Sequence, residues 1–116
     1  ELDIQIGRIY KQAGDPDELI KRLQNIEKRK DLSLEDKVYI GQIYLNDFPN
    51  KDFSIKYYEN LYKEYPYIPD VLYTLVQIYA QADKPEKAKN ALELWLLSHP
   101  NDSQAIDWLS ILSIKD

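Results

Sequence analysis

The sequence predicts an all-α fold built from antiparallel helix–turn–helix units, and three observations carry that prediction. The strings Gly7-Arg8-Ile9-Tyr10, Gly41-Gln42-Ile43-Tyr44 and Val76-Gln77-Ile78-Tyr79 recur with their tyrosines 34 and then 35 residues apart. Pro66 and Pro100 lie 34 residues apart, and each closes a segment with helical apolar spacing. The 116 residues include only three glycines against ten tyrosines. So few glycines, among many strong helix formers, favour helices over a turn-rich β fold.

Apolar periodicity and end signals give seven helices. The first runs from about Leu2 to Ala13 and stops at Gly14. Asp15 is placed to cap the second, with Pro16 at its first position and Glu18 three residues on. That helix aligns Leu19, Leu23 and Ile26 on one face and closes in the basic run Lys28-Arg29-Lys30, where cations complement the helix dipole. Ser33 and Asp36 have capping-box spacing and open a third helix that ends near Asp47. Phe48-Pro49-Asn50 turns the chain into a fourth helix reaching Tyr65. Pro66 and Pro69 break the chain before a fifth helix over about 70–82. Pro85 opens a sixth that ends near Ser98, and Asp102 or Ser103 caps a seventh that holds Trp108. The connections are short, so neighbouring helices run antiparallel.

These units resemble the tetratricopeptide repeat, a 34-residue helical hairpin with a loose W-x2-L-G-x2-Y…A-x3-F…P pattern. The third unit fits best, with Leu72, Leu75, Val76 and Tyr79, then Ala88 and Leu92, then Pro100. The second supplies Ile40, Gly41 and Tyr44, then Ser54, Tyr58 and Pro66, with one extra residue around Pro49. The first supplies Ile6, Gly7, Tyr10 and Gly14, then Leu19 and Leu23, and has Asp31 where a closing proline is expected. The repeats therefore fall at about 1–32, 33–67 and 68–101, in one domain closed by a capping helix at 102–115. Ala105, Trp108, Leu109 and Leu112 form the apolar stripe of that cap. Gln104, Asp107, Ser110 and Ser113 form a polar one, as a terminal helix needs for solubility. The resemblance implies a right-handed superhelix whose first helices line a concave surface.

Composition removes several function classes. The net charge of −5 argues against general nucleic-acid binding, which draws on clustered Lys and Arg, and against docking on anionic lipid. With no cysteine, disulfides, thiolate metal sites and cysteine nucleophiles are excluded. No signal peptide and no apolar run near the ~20 residues of a membrane span is present. The chain starts at Glu1 inside a helical pattern and lacks methionine, so it reads as a fragment of a larger protein. No Gly-rich phosphate loop, metal-spaced cluster or nucleophile motif occurs, and the sole histidine, His99, reads as a solvated turn residue. The sequence thus predicts a non-catalytic module without cofactor.

Tyr10, Tyr44, Tyr58 and Tyr79 match packed positions. Tyr39, Tyr57, Tyr62, Tyr65, Tyr67 and Tyr73 exceed what packing needs, and tyrosine suits interfaces. At about 100° per residue, Gln5, Arg8 and Gln12 point away from the buried Tyr10 direction. Tyr39, Gln42 and Asn46 do so in the second unit, and Thr74, Gln77 and Gln81 in the third, with Tyr73 beside them. By the resemblance these residues floor the concave surface. Their primary amides offer both donors and acceptors, which suits an extended peptide backbone. Members of the family that grip a C-terminal carboxylate use Lys, Arg and Asn there. Only Arg8 is cationic here, which counts against that mode. The expected partner is a peptide or protein. The alternative is a spacer or self-association element at the end of a larger protein, a membrane-anchored parent being one form of it.

Overall fold

The computed structural model describes residues 16–48 and 51–114, and all its regular structure is helical. Six helices run in order: α1 Pro16–Glu27, α2 Leu34–Asp47, α3 Asp52–Glu64, α4 Pro69–Gln81, α5 Pro85–Ser98 and α6 Ser103–Ile114. The first predicted helix, with Tyr10 and the Asp15 cap, lies outside the described residues, as does Pro49-Asn50. The chain divides into two compact units, residues 1–50 and 51–116.

In the first unit α1 packs on α2. Leu19, Leu23 and Ile26, spaced for one helical face, are buried, as are Ile40, Ile43 and Tyr44 of α2 and Phe48 just after it. The Ser33 hydroxyl accepts the Asp36 N–H at 3.1 Å while Asp36 Oδ2 accepts the Ser33 N–H at 3.2 Å, so the capping box forms as predicted. The basic run departs from expectation. Helix α1 ends at Glu27, and Lys28 to Lys30 lie in the turn beyond it. There Arg29 forms a two-pronged bond with Asp31, at 3.0 and 2.7 Å. The guanidinium found a fork-shaped acceptor two residues on, which a dipole argument overlooks. That hydrogen bond also holds the Asp31 carboxyl below its ordinary pKa.

In the second unit α3 packs on α4, α4 on α5, and α5 on α6. Prolines open α4 and α5, where the missing N–H is not needed. Its core runs through Ile55, Tyr58, Leu61, Val71, Leu72, Leu75, Val76, Ile78, Tyr79, Ala88, Leu92, Trp95 and Ala105. The α4–α5 turn is made by Asp83 in the left-handed region (φ 59°). The Lys84 N–H reaches the Tyr79 carbonyl at 2.8 Å and the Asp83 N–H the Ala80 carbonyl at 3.2 Å, a Schellman closure. Helix α6 starts on the Asp102 cap, whose Oδ1 accepts the Ala105 N–H at 3.2 Å.

Candidate functional site

Each unit places a repeat tyrosine against a carboxylate on the preceding helix. Tyr44 of α2 donates its hydroxyl proton to Glu27 of α1. Tyr79 of α4 donates to Glu59 of α3 at 2.5 Å. Burial lifts the Glu27 pKa above the ordinary carboxylate value, more than the Tyr44 bond lowers it. Burial, with Glu59 adding to it, pushes the Tyr79 hydroxyl well above the ordinary tyrosine range. These tyrosines are core residues, as their spacing implied, and their hydroxyls tie one helical hairpin to the next.

A second cluster organises the end of the second unit. Asp102 accepts hydrogen bonds from the Tyr73 hydroxyl, the Trp95 indole N–H at 2.8 Å and the Ala105 backbone. One carboxylate thereby joins α4, α5 and α6. The Tyr73 bond, followed by those of Trp95 and the backbone, holds the Asp102 pKa below its ordinary value against the opposing effect of burial. Burial, then the bond to Asp102, pushes Tyr73 up to about 12. The Tyr73 ring meets Trp108 edge-on, with centroids 5.1 Å apart. His99 is half-buried rather than solvated. Its ring stacks on Trp95 at 3.8 Å and 9°, with Nδ1 3.2 Å from the Trp95 carbonyl. The indole offered a flat surface one helical turn away, and sequence inspection of charged neighbours could not register it.

Beside this cluster a shallow groove of about 250 Å3 runs between α4 and α6. Val76, Gln77 and Ala80 form one wall; Trp108, Ile111 and Leu112 form the other. Gln77 and Ala80 are exposed, and Ile111 is 54% exposed although large and apolar.

The predicted floor residues distribute as follows. Gln5, Arg8 and Gln12 lie outside the described residues. In the first unit Tyr39, Gln42 and Asn46 are exposed on α2, with Asn46 donating a long 3.5 Å bond to Gln42. In the second unit Gln77 and Gln81 are exposed on α4, and Gln77 lines the groove. Thr74 bonds the Asp70 carbonyl at 2.8 Å. Tyr73 is half-buried and engaged by Asp102 and Trp108. Sequence reasoning missed the apolar wall. The sequence places Trp108 and Leu112 in the apolar stripe of a capping helix and leaves Ile111 outside it. Their i, i+3, i+4 spacing was the available signal. Among the described residues no cluster of His, Asp or Glu could hold a metal ion, and no helix is long and apolar enough to cross a membrane.

These paired antiparallel helices at a 34-residue period define a helical-hairpin repeat protein. Residues 54–107 match the tetratricopeptide repeat family, from α3 into α6. Over those residues the chain is similar to that family, whose repeats are in general protein–protein interaction modules and typically non-catalytic. No curated protein and no solved structure matches the chain.

Proposed function

We propose that the chain is a non-catalytic module that binds extended peptide or protein segments through the exposed faces of the first helices of its repeats, α2 in the first unit and α4 in the second, each taken by itself. The observation that carries this reading is the α4–α6 groove. It offers apolar walls for one side chain and the Gln77 amide at its edge for the ligand backbone. Gln81, one turn further along α4, presents a second amide, and Gln42 and Asn46 present the same chemistry on α2. Helix α4 carries Asp70 as its only charge and α6 only Asp107. The ligand is therefore recognised through apolar contact and amide hydrogen bonds more than through salt bridges.

A peptide selected from a random library against the full chain tests this. Ala80→Arg fills the groove from an exposed position on a residue type that helices tolerate. It should reduce affinity more than ten-fold and leave the helical CD signal unchanged. The combined Gln42→Ala, Asn46→Ala and Gln77→Ala change should also weaken binding. Undiminished binding in both variants would refute the first-helix surface. The second reading, a self-association element, draws on Leu94 and Leu97 of α5, 65% and 80% exposed. A chain that sediments as a monomer across a wide concentration series would remove it.

A further inference from the structure

The groove between α4 and α6 owes its depth to one small side chain. The 35-residue step from Tyr44 to Tyr79 carries Leu45 onto Ala80, and the 34-residue step from Pro66 to Pro100 carries Ala80 onto Ile114. Two of these equivalent positions hold a branched aliphatic side chain, while the one beside the groove holds a methyl group. Ala80 is exposed and lines the groove directly. About 250 Å3 is left open between Val76, Gln77 and Ala80 on one side and Trp108, Ile111 and Leu112 on the other. A cavity of about 150 Å3 with aliphatic and aromatic lining holds one benzene. This groove takes two fused rings.

We infer that Ala80 makes the groove selective for an indole, the side chain of a tryptophan in the bound segment. This rests on the reading of the groove as the peptide site and names the side chain it selects. The polar atoms on the walls favour an indole over other large side chains. Gln77 carries the only side-chain acceptor among the groove residues, and an indole has a single N–H to donate. A phenyl ring or a leucine offers no donor and fills less of the space. The Trp108 ring on the opposite wall gives the indole an aromatic surface for offset or edge-on contact. Charge sets the flanks of the anchor. Asp70 lies two turns before Gln77 on the same side of α4, Asp107 lies one turn before Ile111 on α6, and neither helix carries a cation. Lysine or arginine beside the tryptophan is therefore favoured and a carboxylate disfavoured.

Peptides captured by the full chain from a random library are sequenced, and the strongest is resynthesised with tryptophan, 1-methyltryptophan, phenylalanine or leucine as its anchor. Affinities are read by isothermal titration calorimetry. Tryptophan with a basic neighbour is expected in the captured set. Methylating the ring nitrogen removes the donor and should weaken binding about five-fold. Leucine should weaken it roughly ten-fold. Ala80→Leu introduces the side chain that Leu45 carries, on a residue type that helices favour, and so should leave the CD melting curve intact. It should weaken the tryptophan peptide about ten-fold and the leucine peptide less than about two-fold, which erases the preference for the larger anchor. Captured peptides that lose binding to Ala80→Arg yet carry aliphatic anchors would overturn the inference and leave the groove as the binding site. So would an Ala80→Leu loss of equal size for both peptides. Peptides indifferent to Ala80→Arg would instead remove the groove reading itself, and this inference with it.

Discussion

At the scale of single residues, two positions sit in conformations or surroundings that their own chemistry disfavours. Asp83 holds the left-handed backbone that closes α4, where a Cβ is penalised. Asp83→Gly keeps both Schellman bonds and removes that penalty. It should stabilise the fold by about 0.5–1 kcal/mol, a few degrees in Tm by thermal melting. Tyr58 is 1% exposed, its hydroxyl has no hydrogen-bond partner among the described residues, and burial pushes its pKa up to about 12. An unsatisfied buried hydroxyl contributes nothing that a phenyl ring would lose. Tyr58→Phe should therefore be neutral or stabilising in urea melts. A loss above about 1 kcal/mol would mean the hydroxyl has a partner after all. The burial of Tyr58 was legible from its repeat position, whereas the missing bond was not. Hydroxyl partners depend on distances between helices that no spacing rule supplies.

Among the helices, the polar contacts at their junctions govern stability against pH. Asp102 gathers donors from three helices, and removing it uncaps α6 and strands the Trp95 N–H. Asp102→Ala should destabilise the second unit by roughly 2–4 kcal/mol. Its folded pKa is depressed, so its contribution is present above the ordinary carboxylate pKa and disappears as pH falls through the depressed value. The gap between wild type and Asp102→Ala should thus be wide at pH 7 and close in strong acid. Glu27 behaves in the opposite sense. Its folded pKa is raised, so its favourable contribution exists below the ordinary glutamate pKa and is lost as pH rises through the raised value. Glu27→Gln retains an acceptor for the Tyr44 hydroxyl. Its Tm should equal or exceed wild type at pH 7, with the advantage shrinking toward about pH 4. The helix ends themselves were readable in sequence, because proline, Ser33 with Asp36, and Asp102 act locally. The Tyr–Glu pairs were not, since Glu27 and Glu59 look like any other surface carboxylate until the neighbouring helix is in place.

Across the molecule, stability in a repeat fold is a sum of local packing terms and need not be uniform. In the second unit α4 buries six residues and α6 buries Ala105 alone. Amide exchange should therefore be slowest at Leu72, Ile78 and Leu92 and markedly faster along α6. Equal protection in α4 and α6 would contradict that reading. The helical-hairpin architecture was legible because a 34-residue period repeats the same small set of local rules. The groove was less so, because Val76 and Ala80 belong to one repeat and Trp108, Ile111 and Leu112 to the next helix. Residues assigned to a buried stripe can still form a wall once a neighbour stops short of covering them. The outer surface of α6 carries exposed Ile106, Ile111 and Ile114 among its serines, so it is less polar than its serine spacing suggested.

The different surroundings of the two tryptophans have an optical consequence. Trp95 is buried and lies flat against the His99 imidazole. Trp108 is half-buried, forms part of the groove wall and receives excitation from the adjoining Tyr73 ring. A segment settling there would shift the emission colour of Trp108 without any attached dye, and Trp108→Phe would abolish that shift.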